Sequence, residues 1–485
     1  QDTVGYIESL AREQGSAAAI YFDDIEKFGI WPETYEWVYE KGWLRQFIER
    51  VLASGKIATQ TFGEYHERVR TRGVVYLPTT SYIEMNEWTL PTPAAHAYAD
   101  LVEREKRNGS FDASKAFLRG GIWKNFVSRY PEANWMHKRM LALSDRLSRV
   151  PEALRTEEMQ RLLYVAQAND AYWHGLSGGL YLPHLRRSVY ASLLKLEAML
   201  DQIDPRPQNQ CVDLDLDGVD ELFLRNSMLQ AAVKLDGSAA VVEIDSYALS
   251  QNFGDTLRRH SEHYHRRVLG GPVAVHKGDG IASAHDRLDL KHDISAADME
   301  PDSAARSSFR DAFVGLDGVG RPLADYGLRQ VNGAGVAFAA ERGGATLEKN
   351  IAVSGDCINV AYRFAGAFQA AGVSGFKTTI DLAMPSCDGP GARFVYRGAV
   401  AGGLGQPLDL DDATELVLDD SFMGGSVTLR SNVPVGLSAA PCYTVSQSEG
   451  GFEKIMQSVT LTLSWPLDAA HREVNLSLEI RKVSS

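Results

Sequence analysis

From about Asp213 to the C-terminus, apolar residues recur at every second position, most clearly in Val459-Thr-Leu-Thr-Leu-Ser-Trp465 and Val474-Asn-Leu-Ser-Leu-Glu-Ile480. Successive side chains of a strand point to opposite faces, so this period of two calls for paired strands with one face buried. Glycine and proline punctuate the gaps, and the region is expected to form a large antiparallel β-sandwich. Upstream the period changes. From residue 1 to about 108, short apolar runs alternate with helical ones. Residues 4–14 are predicted helical and residues 17–22 a buried strand. Leu44, Phe47, Ile48, Val51 and Leu52 fall at i, i+3, i+4, i+7 and i+8 before Gly55 ends their helix. Such alternation marks a parallel α/β sheet. Between about 109 and 204 the amphipathic runs 137–150, 156–169 and 186–203 predict a helical region with no long strand. The expected architecture is therefore multidomain, α/β plus all-β, divided at 1–108, 109–204 and 205–485, the last boundary falling in Asp204-Pro-Arg-Pro-Gln-Asn-Gln210.

The charge balance narrows the partners. A net charge of −13 argues against nucleic acid or an anionic membrane, both of which want a basic face. No apolar run approaches the roughly 20 residues that span a bilayer, and the N-terminus lacks a basic-then-apolar signal pattern. Cys211, Cys357, Cys387 and Cys442 are widely spaced and form no CxxC. They read as reduced thiols of a cytoplasmic protein. A homo-oligomer is left open.

Three acids within four residues stand out: Asp23, Asp24 and Glu26, directly behind the apolar run that ends at Phe22. Catalytic groups of α/β sheets gather where strands end, which makes these carboxylates candidates. A helix N-cap is the plain alternative, and a metal site another, but a cap needs only one acid. Phe28, Trp31, Tyr35, Trp37, Tyr39 and Trp43 crowd the motif; flat aromatic faces suit the C–H faces of sugar rings, although core packing accounts for such residues equally well. A second cluster, 169–186, places Asp170, Trp173 and His174 in a glycine-rich turn after an amphipathic helix. Glycine lets backbone approach a ligand closely. A structural turn with a packed Trp and a hydrogen-bonded His is the alternative there.

The stretch Asp23-Asp-Ile-Glu-Lys-Phe-Gly-Ile-Trp-Pro-Glu-Thr-Tyr-Glu-Trp-Val-Tyr-Glu-Lys-Gly-Trp43 resembles the fourth sequence region of glycoside hydrolase family 57, in its 4-α-glucanotransferase and α-amylase-like branch. Tyr76-Leu-Pro-Thr-Thr-Ser-Tyr82, Gly120-Gly-Ile-Trp-Lys-Asn-Phe126 and Tyr130-Pro-Glu-Ala-Asn-Trp-Met-His-Lys-Arg-Met140 are similar to further parts of that branch. The 169–186 stretch resembles its fifth region, and 213–226 with 252–265 its C-terminal sandwich. The resemblance implies the C-terminal part of a (β/α)7 barrel, a helical region and a β-sandwich. It implies cleavage of α-1,4-glucan or maltooligosaccharide with retention, through a covalent glycosyl-enzyme, with no cofactor required. Residue matching makes Asp24 the acid/base, Asp23 and Glu26 its supports, and Trp31, Asp170 and Trp173 the lining of the sugar subsites, with His174 supporting. Ile25 stands where relatives commonly have Gly. The family's early His-Gln-Pro region and the strand bearing its glutamate nucleophile have no match in these 485 residues. The resemblance therefore implies an N-terminal barrel segment, on a separate or cleaved chain, that supplies the nucleophile. Glu84 and Glu87 have no spacing that recommends them for that role.

Two constellations remain. Asp213-Leu-Asp-Leu-Asp-Gly218 puts acids at positions 1, 3 and 5 of a calcium-type loop with Gly at 6, so Asp213, Asp215 and Asp217 are candidate ligands of a structural calcium. Position 12 is Leu224, which excludes an EF-hand, and an acidic turn between strands is the alternative. His260, His263 and His265 lie among Arg258, Arg259, Arg266 and Arg267, whose charge opposes a cation. They read as a solvated or internally paired face.

Overall fold

The computed structural model of the protein describes residues 2–10, 18–31, 33–70, 73–77, 79, 81, 83–175, 178–270, 290–448 and 451–482. The chain divides into two compact units: Gln1–Thr80 with Gly271–Asp289 and Ser448–Gly451, and Ser81–Gly270 with Leu290–Gln447 and Phe452–Ser485.

The first unit carries helices α1 (Asp2–Leu10), α2 (Trp43–Ala53) and α3 (Phe62–Arg68), with a 3-10 turn at Ile25–Phe28 and a π-helical turn at Glu36–Glu40. The predicted helix over 4–14 is seen through Leu10; residues 11–14 lie outside the described residues. Thr61 opens α3 by accepting the Glu64 amide at 3.2 Å while its own amide donates to the Glu64 carboxylate at 2.8 Å, a reciprocal cap that satisfies two orphan donors. Of the strand expected at 17–22, residue 17 lies outside the described residues and 18–22 are not a strand. Residues 18–24 are irregular, Phe22 is 95% exposed, and no strand occurs among the described residues before Asn209. An extended segment becomes a strand only by pairing its backbone, and among the described residues no strand pairs with 18–22.

In the second unit, α4 (Met85–Trp88), α5 (Thr92–Arg107), α6 (Phe111–Ser114), α7 (Trp123–Arg129), α8 (Pro131–Arg149), α9 (Glu157–Ala166) and α10 (Pro183–Ile203) precede the sheets. The three predicted amphipathic runs coincide with α8, α9 and α10. β1 (Asn209–Val212), β2 (Glu221–Arg225), β3 (Leu229–Lys234), β4 (Val241–Ser246) and β5 (Gln251–Asn252) form an antiparallel five-stranded sheet in sequence order. After α11 (His265–Leu269), a thirteen-stranded sheet contains β6 (Arg310–Gly315), β7 (Gly320–Pro322), β8 (Gly327–Asn332), β9 (Gly335–Arg342), β10 (Ala345–Ser354), β11 (Cys357–Ala365), β12 (Val373–Leu382), β13 (Ala392–Tyr396), β14 (Ala399–Gly403), β15 (Leu408–Asp420), β16 (Gly425–Ser448), β17 (Gly451–Pro466) and β18 (Glu473–Lys482).

The small sheet is the middle layer. On β2, Leu222 and Leu224 join the core shared with the large sheet, whereas Phe223, on the opposite face, packs with α8, α9 and α10 and stacks on Trp135 at 6.1 Å. Both faces are covered, so β2 is buried from end to end and shows no polar alternation.

Within the large-sheet core, Lys349 is fully buried. Its ammonium lies 2.8 Å from Asp311 and donates to the carbonyls of Ala239 (2.8 Å) and Phe309 (2.7 Å), while Tyr326 and Tyr362 donate to Asp311 at 2.9 Å. Burial pushes the Lys349 pKa down, against the pull of Asp311. Lys349→Met strands a buried carboxylate and is expected to cost about 3–5 kcal/mol, read as a lower urea midpoint. Adding Asp311→Asn should recover much of the loss.

Candidate active site

In the first unit the acidic motif is organised by a residue that spacing alone did not single out. Lys27 lies three and four residues after Asp24 and Asp23, one helical turn away. Its ammonium sits 2.5 Å from Asp23 and 3.3 Å from Asp24, and 5.4 Å from the Trp31 ring centroid. The Lys27 hydrogen bond, aided by the Asp24 amide at 2.9 Å, holds the Asp23 carboxyl below its usual range. Asp24 precedes the 3-10 turn in extended conformation, yet its side chain makes no capping bond. The carboxylate is 61% exposed, as a group awaiting a ligand would be. The Glu26 carbonyl accepts the amides of Ile30 (2.9 Å) and Trp31 (3.1 Å), turning the chain at Gly29. Gly29 has φ +125°, and a Cβ there would press on the Tyr39 ring. The Glu26 side chain is exposed and Trp31 half-buried. Beside them a recess of about 300 Å³ is lined by Tyr21, Lys27, Phe28, Trp37 and Trp43 among others; Trp43 is braced by stacking on Phe47 at 5.5 Å.

Asp170, Trp173 and His174 belong to the second unit. Asp170 is exposed on a 3-10 turn (Asn169–Tyr172) that follows α9. Trp173 donates through its ring N–H to Asn169 at 2.7 Å and stacks on Trp88 at 5.7 Å. The glycines fix this geometry. A Cβ on Gly175 would strike the Trp88 ring, and one on Gly179 (φ +48°) would meet the Trp173 carbonyl, which accepts the Leu180 amide at 2.8 Å.

His174 faces inward, 1% exposed. Its ring lies 2.7 Å from the Tyr130 hydroxyl and 3.5 Å from Glu262. Glu262, also buried, accepts Tyr130 and Tyr181 at 2.6 Å each and Arg129 at 2.9 Å. Burial alone would raise the Glu262 pKa; His174 and Arg129 instead hold it well below the carboxylate range. His174 thus anchors the turn that carries Asp170 and Trp173. Tyr130, Tyr181 and Glu262 went unassigned in the sequence because the network joins positions up to 133 residues apart.

The Asp213 loop brings Asp213, Asp215 and Glu221 within metal-ligand distance of one another, with Glu221 in the place foreseen for Asp217. Asp217 instead pairs with Lys234 at 2.5 Å, and the same ammonium lies 3.5 Å from Asp215 and 3.3 Å from Glu221. Asp213 accepts the amides of Asp217 (3.1 Å) and Gly218 (3.0 Å). The three histidines take separate partners: His260 meets Glu132 at 3.3 Å, His263 meets Glu87 at 3.5 Å, and His265 the Val445 carbonyl at 3.4 Å. Burial pushes the His263 pKa down to about 3. All four cysteines are free thiols, and among the described residues no helix is long and apolar enough to cross a membrane.

Comparisons with known proteins span nearly the whole chain. Residues 1–78 match the family described as glycosyl hydrolase family 57, residues 121–200 the alpha-amylase/4-alpha-glucanotransferase middle domain, and residues 213–480 the C-terminal domain of the same group. A 4-alpha-glucanotransferase of Thermococcus litoralis is 33% identical over 99% of this chain and 71% of its own length. An alpha-amylase of Pyrococcus furiosus is 35% identical over 94% of this chain and 66% of its own. The crystal structure of the T. litoralis 4-alpha-glucanotransferase superposes with a TM-score of 0.75 at 30% identity, covering 99% of this chain and 70% of that one.

Two outcomes check the local chemistry. Tyr130→Phe removes the hydroxyl shared by Glu262 and His174 and should lower stability by about 1–3 kcal/mol in thermal unfolding. Burial pushes the Glu221 carboxyl up to about 7 from 4.5. The folded state therefore holds that proton more tightly, and the contribution is fully present below pH 4.5 and lost as pH rises through about 7. Glu221→Gln should flatten this part of a pH series of unfolding midpoints.

Proposed function

This chain belongs to glycoside hydrolase family 57, in its alpha-amylase/4-alpha-glucanotransferase branch, and from that premise we propose that it acts on α-1,4-glucans as a retaining 4-α-glucanotransferase. The observation that supports the assignment of Asp24 is its exposed, uncapped carboxylate, 3.3 Å from Lys27, which lines an aromatic recess. In the first step Asp24 donates a proton to the glycosidic oxygen as a glutamate nucleophile attacks the anomeric carbon. In the second, Asp24 takes a proton from the incoming sugar hydroxyl, which displaces the glutamate. The two carboxyls must lie about 5–5.5 Å apart, so that one attacks the anomeric carbon while the other protonates the leaving oxygen. Lys27 neutralises Asp23, so Asp24 does not face two uncompensated charges.

The nucleophile comes, in this reading, from an N-terminal barrel segment of the same protein. In the first unit Phe22, Val74, Tyr76 and Leu77 are 83–95% exposed, apolar side chains that a neighbouring segment would cover. Trp31, Asp170 and Trp173 are assigned to sugar subsites, and 1–108, 109–204 and 205–485 to partial barrel, helical region and sandwich. Hydrolysis in the manner of the alpha-amylase relatives uses the same glycosyl-enzyme with water as acceptor. A glucan-binding fragment without turnover is the reading if no barrel segment joins the chain.

The test is maltotriose turnover by the enzyme assembled with its barrel segment. Asp24→Asn should lower the rate by about 10²–10⁴-fold with an unchanged circular dichroism spectrum. Retained turnover would remove Asp24 from the acid/base role.

A further inference from the structure

At one end of the large sheet three turns converge: the β6–β7 turn at 316–319, the β9–β10 turn at 343–344, and residues 371–372 leading into β12. Two of them are tied together, since the Leu316 amide donates to the Gly372 carbonyl at 3.2 Å. Between them lies a recess of about 620 Å³ lined by Phe313, Leu316, Asp317, Arg321, Arg342 and Val373 among others. This is the size of a small-ligand site. Phe313 and Val373 are buried and form an apolar floor, whereas Leu316 is 73% exposed at the rim.

The polar groups are planar and matched in charge. Arg321 grips Asp317 with both terminal nitrogens, at 3.1 and 2.5 Å, and the Val319 amide donates to the same carboxylate at 3.0 Å. Arg342 pairs with Asp325 at 3.2 Å and lies 6.0 Å from the Phe313 ring centroid. Both guanidiniums are therefore oriented before a ligand arrives, yet Arg321 and Asp317 remain 60% and 51% exposed. A guanidinium donor beside a carboxylate acceptor meets adjacent sugar hydroxyls in complementary ways, the first donating to one hydroxyl oxygen and the second accepting from the other hydroxyl. With each cation already matched by an acid, the lining offers no surplus charge to an anion. A purely apolar ligand would take these exposed ion pairs out of water and return no hydrogen bond for it. The combination favours a neutral polyhydroxylated molecule with apolar C–H faces.

We propose that this recess is an α-glucan-binding site, holding a short stretch of maltooligosaccharide between Leu316 and the Arg321 and Arg342 forks. Such a site would keep a polymeric donor or acceptor on the enzyme between turnovers, raising its local concentration. The identity of the sugar rests on the function proposed above.

Maltoheptaose titrated into the full chain by isothermal calorimetry tests the proposal. The double variant Arg321→Ala/Arg342→Ala should weaken one class of binding at least tenfold, with circular dichroism and melting temperature unchanged. Leu316→Asp, at a rim position outside the core, should do the same if the double variant folds poorly. Trp173→Ala should leave this class intact. Wild-type isotherms from both recess variants, or no maltoheptaose binding by the wild type, would overturn the site, as would tighter binding of inorganic phosphate. The turnover test of Asp24 is read separately, so loss of the recess site and loss of the glucan reading are distinguishable.

Discussion

The helical layer and the five-stranded sheet are joined through one buried cation. Arg139 on α8 lies 2.9 Å from Glu197 on α10, 2.9 Å from Glu243 and 3.6 Å from Asp245 on β4, and Trp135 donates to Glu243 at 2.5 Å. Taking these ions out of water costs several kcal/mol each, so the assembly is tolerable only when every partner is in place. Glu197 is bridged further to Arg206, which also holds Asp201. Asp245, crowded by Glu243 and buried, is pushed well above the carboxylate range. A slip of α8 by one turn, or of β4 by one residue, would leave bare charge in the interior. The network thereby makes register a matter of charge as well as shape. Lys349 with Asp311, Arg129 with Glu262 and Arg186 with Asp255 at 2.9 Å repeat the device elsewhere in the second unit.

That dependence explains which parts of the fold could be read directly from the chain. The runs that became α8, α9 and α10, and the alternation in β17 and β18, report a local period that one buried face imposes. The run of helices ends with α10 at Ile203 and the strands begin with β1 at Asn209. β2 hides its place because Leu222, Phe223 and Leu224 are all buried, on two faces, so period two is lost. The strand expected at 17–22 failed for a different reason: Ile20, Tyr21 and Phe22 have strand-like composition, but pairing is a property of neighbours, and no composition supplies them.

The candidate site divides along the same line. Asp23, Asp24 and Glu26 were visible because acids seldom crowd so closely, and Lys27 could have been found from its i+3 and i+4 spacing. Asp170 and Trp173 were visible through composition and resemblance. Of the groups that hold their turn, His174 was visible in the same cluster, whereas Tyr130, Tyr181 and Glu262 were not, since they meet it only in three dimensions. At the Asp213 loop, Lys234 enters from a neighbouring strand and sets an ammonium among Asp215, Asp217 and Glu221, a partner the loop's own sequence does not show. The glycines were legible as permissive residues, but their reason is contact: Gly175 against Trp88, and Gly179 against the Trp173 carbonyl.

The central claim is double displacement at an α-glucosidic bond with Asp24 as acid/base. It is tested most directly by proton NMR of the first product formed from an α-maltooligosaccharide, read before mutarotation, with the enzyme assembled with its barrel segment. The account predicts new reducing ends, or new transfer linkages, in the α configuration. A first-formed β-anomer would contradict it.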